Sequence, residues 1–210
     1  MKELDLLKKD WQKSNNSFDQ ISETEIYKMI HTRSSSIVRL ILIICIVEVL
    51  VWTCLGLCFN TDDYFNNLNH PELIIYSNLF NYFNYGIILV FIYLFYKNYI
   101  AISTTTSTKQ LMSDILKTRK TVQYYVWYNL GMLLVSLIIG FIIAILYNPE
   151  LNDLRDKIAK NGKVMAITFG ILFLTTVLLL GVFWLFYRLL YGILLRRLYV
   201  NYKELKKIDL

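Results

Sequence analysis

A single glutamate, Glu48, stands in the middle of an apolar stretch running from Ile37 to Phe59, with Arg39 at the inner edge. A carboxyl at membrane depth costs roughly 2.5–3.5 kcal/mol on insertion scales, which marks it as a candidate site. The chemistry open to it is proton or cation binding, contact with a partner span, or hydrogen bonding between helices. In the last case a neutral Glu48 links spans at about 0.6 kcal/mol per bond. Counting along the apolar stretches brings Asn84 and Tyr85 of the second, Ser136 of the third, and Thr175 and Thr176 of the fourth nearly level with Glu48. These residues predict a polar layer at mid-membrane, with Glu48 hydrogen-bonded to Asn84, a tyrosine or one of the hydroxyls.

Little else in the chain is equipped to react. His31 and His70 are the only histidines and fall on opposite sides of the expected membrane, so no histidine metal site is expected. There is no glycine-rich phosphate loop, Cys-x-x-Cys pair or nucleophile elbow. We therefore assign no catalytic residue, no metal ligand and no cofactor. Cys45, Cys54 and Cys58 all lie in the first apolar stretch. Neighbouring turns of one helix do not offer disulfide geometry, so packing is their expected role.

The elements that must position Glu48 follow from composition. The 210 residues are 56% hydrophobic and 15% aromatic, with mean hydropathy +0.43. Stretches of about 20 apolar residues match the roughly 30 Å hydrocarbon core of a bilayer. Four qualify, at 37–59, 76–96, 124–147 and 164–187. Helices are required where no water satisfies the backbone. The expected fold is thus an all-α integral membrane protein: four transmembrane helices in an antiparallel bundle, with helical cytoplasmic extensions. Residues 1–36 form a cytoplasmic segment, 37–210 the membrane domain, and 188–210 its cytoplasmic tail. The acidic residues among the first 36 are unlike a cleavable leader, so the first span is expected to remain as an anchor. Ser136 and Gly140 form a small-xxx-small pair suited to close helix approach. Trp52, Tyr85, Trp127, Tyr147, Trp184 and Tyr187 mostly suit interfacial belts.

Charge sets the expected orientation. Of the 22 Lys and Arg residues, all but Arg155, Lys157, Lys160 and Lys163 precede the first span, sit just inside its inner edge as Arg39 does, lie between the second and third, or follow the fourth. Positive residues stay cytoplasmic, so both termini are expected inside, in the inner membrane. The net charge of +6 then reads as a topology and anionic-lipid signal, with no nucleic acid required.

Outside the spans, Leu4, Leu7 and Trp11 form an amphipathic stripe that either lies on the inner leaflet or docks into a protein partner. Ser22 and Glu25 have capping-box spacing. Pro71-Glu72 and Pro149-Glu150 suit helix starts, the second for a short helix ended by Asn161-Gly162. The run 103–108 suits caps, 109–120 is amphipathic, and Leu190, Ile193, Leu194 and Arg197 continue the last helix with Arg196 beside them. These extensions either form a small bundle beneath the membrane or are solvated helix ends.

The opening Glu3-Leu4-Asp5-Leu6-Leu7-Lys8-Lys9-Asp10-Trp11-Gln12 resembles the start of small membrane proteins of flavobacteria and their relatives. The loop Lys109-Gln110-Leu111-Met112 with Lys117-Thr118-Arg119-Lys120-Thr121-Val122 is similar to theirs too. Some proteins of this kind sit beside extracytoplasmic-function sigma factors, and others carry an automated beta-carotene monooxygenase label. Propeller-type carotenoid oxygenases hold iron with four histidines and the membrane type also uses a histidine set, from which this chain departs. The leading expectation is a non-enzymatic membrane protein engaging a cytoplasmic partner, with a sigma-factor-linked regulator its most specific form. A small transporter or channel subunit organised on Glu48 is the alternative, and a membrane oxygenase the third.

Overall fold

A computed structural model describes residues 22–58, 64–66, 68 and 70–208. No strand occurs among the described residues, which include four long helices and one short one between the third and fourth of them. They are α1 (Glu23–Cys58), α2 (Glu72–Thr104), α3 (Thr108–Tyr147), α4 (Asn152–Lys160) and α5 (Gly162–Ile208), with a 3₁₀ turn at Pro149–Leu151 before α4. The four long helices are each long and apolar enough to cross a membrane. The stripe of Leu4, Leu7 and Trp11 lies outside the described residues.

The helix starts follow local chemistry. Ser22 Oγ accepts from the Glu25 amide at 3.3 Å while Glu25 Oε2 accepts from the Ser22 amide at 3.1 Å. That reciprocal pair satisfies two amides that α1 leaves open. From there α1 runs unbroken through Ser34–Ser36, so the boundary at 36/37 falls inside a helix. Extended backbone at Thr105 and Ser107 separates α2 from α3. Asn161 ends α4 as expected, its backbone amide donating to Lys157 O at 2.9 Å. Its side-chain oxygen also accepts from the Lys163 amide at 3.0 Å and so caps α5.

At 47 residues α5 is about 70 Å long, more than twice a bilayer core. The surplus has a use at one end of the molecule. The buried positions are Ile30, Ser34, Ile37, Val38, Ile41 and Cys45 in α1, and Ile88, Phe95, Asn98 and Ile102 in α2. They continue with Leu111, Asp114, Ile115, Thr118, Val122, Tyr125 and Leu130 in α3, and Tyr187, Tyr191, Leu194, Leu198, Asn201 and Leu205 in α5. Steps of three and four recur along the helices, most regularly from Tyr187 to Leu205, as in the seam of a coiled-coil-like bundle. The stripe on α5 thus passes through Tyr191 and Leu198, whereas Ile193 and Arg197 face outward. Among the hydrogen bonds that cross between these helices are Asn201 Nδ2 to Ser34 Oγ at 3.0 Å and Asn98 Nδ2 to Thr121 Oγ1 at 3.2 Å.

Beyond this packed half the helices part. In the most apolar window of each helix only 11%, 22%, 6% and 0% of residues are buried, in chain order. Lipid tails are as apolar as Leu, so nothing drives these faces together, whereas the same faces in water must bury. The Ser136–Gly140 pair is accordingly unused: no other helix comes within 4 Å of where a Gly140 side chain would begin.

Candidate functional site

Glu48 sits where the packed and open halves meet. One turn before it, Cys45 is fully buried, whereas Trp52, one turn after it, is exposed. Its carboxyl accepts three hydrogen bonds, all from tyrosines. Tyr125 Oη donates to Oε2 at 2.9 Å, Tyr191 Oη donates to the same oxygen at 3.2 Å, and Tyr187 Oη donates to Oε1. Tyr187 and Tyr191 are one turn apart on α5, which stacks their rings with centroids 6.1 Å apart. Tyr125 comes from α3 and is held edge-on by Phe91 and Phe95 of α2, at 5.4 and 5.5 Å. One side chain of α1 is thereby tied to α3 and α5, through an aromatic cluster braced by α2.

On the open side Glu48 forms the floor of a cavity of about 920 Å³. Asn78, Asn81, Asn84 and Asn129 are among its polar lining residues. Among the described residues no Lys, Arg or His lines it. A second, nearly apolar groove of about 520 Å³ runs between α1 and α5, walled by Ile43, Val47, Val51, Val182, Phe186 and Leu190. Glu48, Trp52, Leu55, Phe183 and Tyr187 line both spaces.

The expected polar layer is divided among different roles. Asn84, Tyr85 and Ser136 line the cavity with Glu48. None of the three bonds to it: Asn84 Oδ1 accepts from Tyr128 at 2.9 Å, and Ser136 Oγ donates to its own helix at Leu133 O. Thr175 and Thr176 also bond within their own helix, at Ile171 O and Leu172 O, and neither lines the cavity. The physical reason is register. Hydropathy marks where a helix is apolar, but packing fixes which turn meets which, and Glu48 meets the ends of the third and fourth apolar stretches rather than their middles. Tyr187, expected in an interfacial belt, is instead buried as a donor to Glu48. Sequence reasoning missed Tyr125 and Tyr191 as well. The available signal was the i, i+4 pair Tyr187/Tyr191, faint among 16 tyrosines.

Elsewhere, polar side chains serve helix ends. His70 Nδ1 lies 2.7 Å from Glu72 Oε1 at the start of α2, and this hydrogen bond holds the Glu72 carboxyl below its usual range. Arg155 donates through Nε to Ile145 O at 2.9 Å, closing the end of α3. Near the other end, Arg119 and Lys203 flank the Tyr199 ring at 4.4 and 5.0 Å. Arg196 and Arg197 are exposed on the same helix. Among the described residues no three His, Cys, Asp or Glu side chains gather closely enough to hold a metal ion.

A family model described as "Domain of unknown function (DUF8845)" matches residues 24–210. No curated protein and no solved structure matches the chain.

Proposed function

We propose that this chain, which belongs to the DUF8845 family, is a non-enzymatic receptor of the inner membrane. A ligand held at Glu48 is coupled through the tyrosines to the packed helical half, which engages a cytoplasmic partner. The carrying observation is the position of Glu48, at once the floor of the open cavity and a hydrogen-bonded member of the packed core. A ligand that draws on the carboxyl competes with Tyr125, Tyr187 and Tyr191, and so acts on the contact of α1 with α3 and α5. The bonds Tyr27–Thr105, Asn98–Thr121 and Asn84–Tyr128 suit antiparallel neighbours. The positive-inside bias supports placing the packed half in the cytoplasm with both termini. There the exposed Lys203, Arg196 and Arg197, with the half-buried Arg119 over the Tyr199 ring, suit an acidic partner face, and a sigma-factor-linked regulator remains the most specific version.

The test is co-purification of membrane-extracted full-length protein with cytosolic partners, comparing wild type, Glu48→Gln and a chain lacking residues 1–21. A stable partner whose yield changes in Glu48→Gln supports the receptor reading. A partner captured equally by both would show that Glu48 is purely structural. The cavity itself favours a second reading, a small transporter organised on Glu48. Glu48-dependent flux in liposomes, with no partner captured, would establish that reading instead.

A further inference from the structure

Resting on the reading of Glu48 as a ligand site, we propose that the ligand is a single-chain cationic amphiphile. Its ammonium head lies at Glu48 and its alkyl chain in the groove between α1 and α5. The argument begins from the two spaces that meet at one carboxyl. A purely polar ligand would use only the asparagine-lined cavity. A purely apolar one would use only the groove and would leave the carboxyl without a role. Glu48, Trp52, Phe183 and Tyr187 border both, so a molecule seated there is contacted simultaneously by polar and apolar walls.

The sign of the head follows from the lining. Among the described residues neither space is lined by Lys, Arg or His, so a phosphate or carboxylate head would meet Glu48 with no compensating cation there. An ammonium meets the opposite charge, forms a charge-assisted hydrogen bond and faces the Trp52 and Tyr187 rings. Its remaining N–H groups find acceptors among the cavity amides, such as Asn81 and Asn129. The tail follows from the groove, whose walls are Val, Ile, Leu and Phe along several turns of α1 and α5, from Ile43 to Leu55 and from Val182 to Leu190. Since Ile43, Val47, Val51, Val182 and Phe186 are exposed on the apolar surface, the chain enters sideways from the bilayer.

The experiment uses the full-length protein in phosphatidylcholine nanodiscs, titrated with dodecylamine, dodecanol, dodecyl phosphate and butylamine. Thermal stabilisation and stoichiometry are read against empty discs. The expected result is saturable binding of dodecylamine at one per protein. Dodecanol and butylamine should each bind about tenfold or more weakly, the loss of one charge pair or of the tail contacts. Dodecyl phosphate should not stabilise the protein. Glu48→Gln should abolish the preference for amine over alcohol. Val182→Trp, which fills the groove on an exposed face and leaves the cavity lining intact, should weaken dodecylamine and not butylamine. Leu190→Trp provides a second groove variant should the first fail to fold. Equal stabilisation by all three dodecyl compounds, or dodecylamine binding untouched by either groove variant, overturns the proposal. Butylamine binding as tightly as dodecylamine, still dependent on Glu48, overturns the amphiphile alone and leaves the receptor reading standing. If no amine binds and partner capture is also indifferent to Glu48→Gln, both fall.

Discussion

At Glu48 the balance is between the cost of a carboxyl away from water and the donors that meet it. Three tyrosine hydroxyls reach its two oxygens, so both are served. Intramembrane hydrogen bonds average about 0.6 kcal/mol each, so Tyr191→Phe should lower stability by about that amount in reversible unfolding from micelles. Glu48→Leu is different in kind, since it leaves three donors without their acceptor. It should cost about 1–3 kcal/mol, the range for orphaned buried polar groups. Equal stability of the Leu variant and wild type would show that the tyrosines find other partners and that the cluster does not hold the helices. The expectation of Glu48 bonding across a polar layer came from residue type and depth. It selected the right residue to question and allowed a tyrosine as its partner, but not which tyrosines, because depth along one helix carries no information about rotation or offset of another.

Among the elements, α1 and α2 show how short signals place long helices. The Ser22–Glu25 box starts a 36-residue helix. Ser22→Ala should cost about 1 kcal/mol, concentrated in the first turn, where hydrogen exchange of residues 25–27 should accelerate while the core at Val38 and Ile41 stays protected. At the start of α2, the His70 bond holds the Glu72 carboxyl below its usual range. The sign follows directly: a carboxyl lowered by folding adds stability at pH values above its unfolded value of about 4.3, and that contribution is lost as pH falls through the lower folded value. Local opening of the first turn of α2, followed by exchange, should thus be flat from neutral pH to about 5 and rise only in stronger acid. These starts were legible in sequence because a cap acts over three or four residues. The seam of three- and four-residue steps was only partly so. On α5 the expected run of Leu190, Ile193, Leu194 and Arg197 included the buried Leu194, but Ile193 and Arg197 face outward and Tyr191 and Leu198 complete the buried stripe.

For the molecule as a whole, the division into a packed half and an open half reflects two solvents. Apolar faces bury one another where water would otherwise meet them and remain parted where lipid serves equally well. Topology can be tested on a variant with Cys45, Cys54 and Cys58 replaced by alanine. Asn152→Cys in that background should react with an impermeant thiol reagent in intact cells. Thr106→Cys should react only after permeabilisation. The opposite pattern would place the packed half and its basic surface outside, and with it any partner.

Length and hydropathy by themselves determined that four helices are built to cross a membrane, because a bilayer imposes a local requirement that any 20-residue window either meets or fails. Charge asymmetry gave a direction, and Glu48 was conspicuous because a carboxyl in such a window is a local anomaly. Only the tertiary structure decided that Tyr125, Tyr187 and Tyr191 converge on it and that a polar cavity and an apolar groove share its walls. It alone also decided that the layer of Asn84, Tyr85, Ser136, Thr175 and Thr176 does not close around the carboxyl. Those outcomes depend on the rotation and offset of helices 77 to 143 residues apart in sequence, quantities set by how whole faces interlock and encoded in no single window.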